Sequence, residues 1–88
     1  MMYRPLNEIF DAILSISEEA AYGFAQKFSF KDKDSVLYEN VQYTFGDDKY
    51  SVKFEERAKA DTLFRFDKLY LYGNTKRGLV KIGEAILI

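Results

Sequence analysis

The chain has no histidine, no cysteine and no tryptophan, and only one proline. Without histidine it lacks the commonest general acid–base group and the commonest neutral metal ligand. Without cysteine it has no disulfide framework, no thiolate nucleophile and no thiolate metal site. Small secreted domains are usually stapled by disulfides, so the compartment expected from cysteine usage is the cytoplasm. The opening residues Met1 to Pro5 lead into an amphipathic pattern carrying Glu8 and Asp11, unlike the continuous apolar core of a signal peptide. No run approaches the roughly 20 apolar residues that cross a bilayer, and no membrane partner is expected.

What is present is apolar and aromatic. Of 88 residues, 48% are hydrophobic, with eight Phe and seven Tyr. That length fits one domain, 1–88, and a domain this small buries only about 60–65% of its unfolded surface. An aromatic share of 17% is more than such a core ordinarily needs, so some rings are expected to meet something outside the monomer. The net charge of −1 hides an asymmetry. Residues 1–48 hold four basic and nine acidic side chains, whereas residues 49–88 hold nine basic and five acidic ones. A bipolar chain can attract its own copies or offer one basic region to an anionic partner.

Periodicity divides the chain into helix first and strands after. Leu6, Ile9, Phe10, Ile13 and Leu14 form a stripe at helical spacing, and Ala20, Ala21, Phe24 and Ala25 continue it. Pro5 suits a first helical turn, so the pattern predicts one helix, or two abutting ones, over about 5–27. Ser15 and Ser17 are both candidate caps for a restart near Glu18. Lys31 to Ser35 reads as a polar loop. Beyond it the period drops to two: Val41, Tyr43 and Phe45 alternate with polar residues, as do Tyr50, Val52 and Phe54 across Gly46-Asp47-Asp48. Residues 55–61 are charged and read as a longer connection or a short exposed helical turn. Two further strands, 62–72 and 79–88, flank Gly73 to Gly78, where Gly73, Asn74 and Gly78 are expected to supply positive φ. The four strands expected are near 36–45, 49–55, 62–72 and 79–88.

The last two strands look apolar on both faces. Leu63, Leu69 and Leu71 alternate with Phe64, Phe66, Tyr70 and Tyr72, and Val80, Ile82, Ile86 and Ile88 oppose Leu79, Ala85 and Leu87. Such strands are normally covered on both sides. The fold expected is α+β, an N-terminal helix packed on a four-stranded antiparallel sheet in the order α-β-β-β-β. Its alternative is a small closed β-barrel with an N-terminal helix.

No catalytic, cofactor or metal site is expected. The five serines sit in no nucleophile motif, and the acidic pairs Glu18-Glu19, Asp47-Asp48 and Glu55-Glu56 lack ligand spacing. Gly73 to Gly78 is not a phosphate-binding P-loop, because its Lys76 and Arg77 precede the second glycine and a strand follows. The candidate contacts are Phe64, Arg65, Phe66, Lys68, Tyr70, Tyr72, Lys76 and Arg77, where rings on a strand alternate with cations. That pattern serves a packed interface, and it also serves stacked bases with phosphates.

Arg4 to Ile9 resembles the opening helix of Sm-like RNA-binding proteins, and Phe66-Asp67 with Val80 to Gly83 is similar to pieces of their strands. The resemblance implies a ringed, five-stranded barrel on uridine- or adenine-rich RNA. It is confined to these short segments, and no family is assigned from it. The residues themselves favour a non-enzymatic protein-interaction module that self-associates, as a homodimer, through its C-terminal strands. The alternative function is binding of single-stranded DNA or RNA through the basic, aromatic C-terminal half.

Overall fold

Pro5 ends a short strand and hands the chain to a helix. In the computed structural model, which describes residues 3–28, 36–38, 41–55 and 67–87, strand β1 (Tyr3–Pro5) runs into helix α1 (Leu6–Leu14). Pro5 is extended, with φ −63° and ψ 147°, and precedes the helix rather than occupying its first turn. The backbone turns at Ser15, whose Oγ donates to the Ala12 carbonyl at 2.7 Å. It then restarts at Ser17, whose Oγ accepts the Ala20 N–H at 3.2 Å and caps α2 (Glu18–Lys27). Of the two candidate serines, Ser17 is therefore the N-cap, a role worth about 1 kcal/mol. Ser15 closes the preceding helix.

The helices precede a four-stranded antiparallel sheet, as the periodicity predicts. Its strands β3 (Tyr43–Phe45), β4 (Tyr50–Glu55), β5 (Asp67–Thr75) and β6 (Gly78–Leu87) lie in sequence order. The sheet is open, with β3 and β6 at its edges, so neither the barrel alternative nor the five-stranded barrel implied by the Sm-like segments is the architecture found. The strand expected over 36–45 is two strands. β2 (Val36–Tyr38) pairs antiparallel with β1 in a separate ribbon, Arg4 opposite Leu37, and only Tyr43 to Phe45 joins the main sheet. A period of two gives the pleat of a segment but not its partner. Residues 62–66 and Ile88, included in the expected strands, lie outside the described residues, as does the loop expected at 31–35.

One core joins both layers. Ile9, Ile13, Ala20, Ala21 and Phe24 from the helices are buried in the same cluster as Phe45, Val52, Phe54, Leu69 and Leu71 from the sheet. The Phe24 ring meets Phe45 edge-on at 5.5 Å and lies 4.7 Å from Phe28. Leu14, counted in the helical stripe, is exposed, and Ala12 is buried in its place.

The first hairpin turn lies where the sequence reading places it, and the second departs from that reading in detail. Gly46, Asp47 and Asp48 are consecutive left-handed residues, with φ of 65°, 55° and 65°. Asn74 holds that turn from the neighbouring hairpin: its Nδ2 donates to the Asp48 carbonyl at 2.6 Å and its backbone N–H to the Lys49 carbonyl at 2.8 Å. Gly73 and Asn74 are strand residues without positive φ, and Gly78 alone of the three expected there, at φ 115°, has it. Lys76 and Arg77 form the turn itself, braced by Thr75 Oγ1, which donates to the Gly78 carbonyl at 2.7 Å. Ser51 was expected on a wet face but is fully buried, with its hydroxyl 3.0 Å from Asn74 Oδ1 and 3.4 Å from Thr44 Oγ1.

A β-bulge sits between the last two strands. Leu71 pairs with Gly83 and Tyr72 with Lys81, leaving Ile82 as the extra residue. At Gly83 the sheet approaches the α1–α2 corner so closely that a Cβ would lie 2.8 Å from Ile16 Cγ2. Overpacking of this kind costs about 1–3 kcal/mol. Gly83→Ala is therefore expected to lower unfolding stability in urea by that amount. Combined with Ile16→Ala, the total loss is expected to be smaller than the sum of the two single losses, because the second change removes the colliding methyl.

Candidate functional site

The outer face of the sheet, away from the helices, carries the sequence candidates that the structure describes. On β5 the inward residues Asp67, Leu69 and Leu71 are buried while Lys68, Tyr70 and Tyr72 are half-buried on the opposite face. The expectation that both faces are apolar is corrected here. Cross-strand pairing places Lys53 and Glu55 of β4, and Lys81, Glu84 and Ile86 of β6, beside these residues, so the outer face is mainly charged. The error came from counting Leu, Ile and Tyr along β5 and β6 without their neighbours across the sheet.

Lys68 and Lys81 are engaged with Glu84, and Glu55 with Tyr70. Glu84 meets Lys68 Nζ at 3.3 Å through one carboxylate oxygen and Lys81 Nζ at 3.6 Å through the other. Lys81 lies over the Tyr70 ring, 5.4 Å from its centroid, and the Tyr70 hydroxyl donates to Glu55 at 3.3 Å. The cluster holds two charges of each sign, with one face of its central ring capped by a lysine. Base stacking wants an open ring, and phosphate binding wants unneutralised cations. Lys76 and Arg77 stand apart, exposed on the β5–β6 turn. Phe64, Arg65 and Phe66 lie outside the described residues.

A second feature, missed in the sequence, is the free edge of β6. A strand's place in the sheet order cannot be read from its own residues. β6 is ten residues long, it pairs with β5 on one side, and among the described residues no strand pairs with it on the other. Leu79, Val80, Ile82 and Ile86 are each 46–55% exposed along it. The opposite edge, β3, has only three residues, and a short edge offers little to pair with. Beside the C-terminal half of β6 runs a groove of about 770 Å³, lined by Glu8, Asp11, Ala12 and Ser15 from α1 and its end, by Lys68 of β5, and by Glu84, Ala85, Ile86 and Leu87 of β6.

Among the described residues no group of three or more acidic, histidine or cysteine side chains could hold a metal ion, and no helix is long and apolar enough to cross a membrane. Comparison with protein-family models, with curated proteins and with solved structures finds no match to this chain.

The electrostatics of the outer face can be measured directly. The hydrogen bond from Lys68, then its charge and that of Lys81, hold the Glu84 carboxyl below the usual glutamate range. Burial and then the neighbouring Glu55 carboxylate push the Tyr70 hydroxyl above the usual tyrosine range. Because the Glu84 pKa is depressed in the folded state, its contribution to stability is present above the unfolded pKa and fades as pH falls through the folded value. Lys68→Met is expected to raise the Glu84 titration midpoint in carboxyl ¹³C NMR spectra, with a smaller residual depression left by Lys81. An unchanged midpoint would contradict the pairing.

Proposed function

We propose that this chain is a non-enzymatic protein-interaction module, acting in a reducing compartment such as the cytoplasm, that self-associates through the free edge of β6. One observation carries the reading: a ten-residue edge strand with four large apolar side chains in water. An edge strand presents a row of unpaired N–H and C=O groups, and a long apolar one is a template for another strand. Burying exposed apolar surface stabilises association by roughly 25 cal/mol per Å² before the costs of ordering are subtracted. The site differs from the one expected in the sequence, which placed the contact on the apolar and aromatic faces of the C-terminal strands. The edge and its apolar residues, rather than Tyr70 and Lys68, now carry the proposal.

The nucleic-acid alternative has less to support it. Lys68 and Lys81 share the Glu84 carboxylate, and Lys81 covers one face of the Tyr70 ring. Light scattering at micromolar concentration is expected to give twice the 10.3 kDa chain mass. Val80→Lys with Ile82→Lys alters two exposed positions, and lysines on an edge block pairing. That variant is expected to have the mass of one chain with an unchanged circular dichroism spectrum. A wild-type chain that stays at 10.3 kDa would overturn the proposal.

A further inference from the structure

Building on self-association through β6, we propose that the occupant of the edge is β6 of a second copy, running antiparallel, with the two-fold axis between Ile82 and Gly83. In this register Lys81 stands opposite Glu84 of the second copy, Leu79 opposite its Ile86, and Val80 opposite its Ala85. Three features of the chain select this arrangement over other occupants and other registers.

The first is the bulge. Side chains on a regular strand alternate, so residues three apart face opposite ways. Lys81 and Glu84 nevertheless share the outer face, because their β5 partners Tyr72 and Tyr70 share it and Ile82 is the extra residue between them. The same insertion lets a pairing centred between Ile82 and Gly83 keep every outward residue opposite an outward one. In an unbulged strand that centre would set outward residues against inward ones.

The second is charge. β6 carries one cation and one anion, Lys81 and Glu84, placed symmetrically about the proposed centre. The antiparallel copy therefore meets each with its opposite, twice. Opposite charges directly across a ladder are favourable and like charges are not. A parallel copy in the same alignment would set Lys81 beside Lys81.

The third is the groove along the C-terminal half of β6. Antiparallel pairing lays the N-terminal half of the second copy's β6 beside it, bringing exposed Leu79 and Val80 against Ala85 and Ile86. Beyond them comes the turn bearing Lys76 and Arg77, which continues toward the end of the groove that Glu8 and Asp11 line. The acidic N-terminal half and the basic C-terminal half of the sequence then become partners between copies. Charge complementarity of this sort sets orientation as well as rate.

A charge exchange tests the register separately from association. Lys81→Glu and Glu84→Lys each put like charges across both rungs of their own homodimer. Each alone is expected to dimerise about tenfold more weakly than wild type. Mixed in equal amounts they restore two opposite-charge rungs, and a heterodimer of near wild-type affinity is expected by light scattering and native mass spectrometry. As a second readout, the chain has no cysteine of its own. Leu79→Cys and Ile86→Cys copies are expected to cross-link when mixed and oxidised, far more than either copy does alone. If wild type dimerises but the charge-exchanged mixture gains nothing over the single variants, and either cysteine copy cross-links to itself as well as to the other, the register is wrong and edge association survives. If wild type is monomeric, both proposals fall together.

Discussion

Two short helices burying one face of a sheet that outreaches them is the constraint from which the rest of this structure follows. A helix of nine or ten residues is only about 14–15 Å long, whereas a ten-residue strand extends about 33 Å. The helices can therefore seal the base of the β5–β6 hairpin but not its tip. Burial follows that limit along the chain. Leu69, Leu71 and Leu87 are sealed, Ala85 and Gly83 are half-covered, and Ile82 and Val80 stand in water although they belong to the covered side of the sheet. The exposure of Val80 and Ile82 results from a length mismatch between the two layers, whereas Leu79 and Ile86 lie on the outer face, away from the helices.

The N-terminal ribbon fixes where the helical layer sits. Arg4 on β1 pairs with Asp67, which is buried at the start of β5, and also reaches Glu8 one turn into α1 at 3.4 Å. Removing Arg4 takes this countercharge from the buried Asp67 carboxylate, at a cost of about 3–5 kcal/mol for a fully buried pair and less here, where Arg4 keeps some exposure. Ile16 against Gly83 fixes the other end of α1, and Lys27 donates to the Thr44 carbonyl from the end of α2. These contacts leave the acidic residues Glu8 and Asp11 along the groove beside β6.

Much of this was legible in the sequence because it is local. The helical stripe, the restart near Ser17, the change from period 3.6 to period 2 and the alternation in β4 and β5 are all properties of short windows. What was not legible is relational. The split of 36–45 into β2 and β3 depends on Tyr3 to Pro5 arriving to pair with Val36 to Tyr38. The burial of Ser51 depends on Asn74 and Thr44, and the pairing of the outer-face lysines on Glu84 being shared by Lys68 and Lys81. The candidate site suffered most. Rings and cations alternating along one strand suggested a platform, but a platform is a property of a face, and the face includes the acids of its neighbours.

An exposed apolar edge need not be indiscriminate. Proteins commonly protect edges with a lysine or a bulge, each of which obstructs a generic incoming strand. β6 has both, with Lys81 directly before the bulge at Ile82. A lysine is an obstacle to any strand that brings an apolar residue opposite it, and a bulge is an obstacle to any strand whose alternation runs unbroken. A second copy of β6 brings Glu84 to the lysine and its own bulge to the bulge. In the proposed pairing the features that obstruct most strands meet their complements, because specificity lies in the difference between the intended contact and its competitors. On this view the stability lost by leaving Leu79, Val80, Ile82 and Ile86 in water is recovered only in a complex between copies of the chain. Under the proposed pairing, Lys81 and the bulge obstruct other incoming strands and are matched by the second copy.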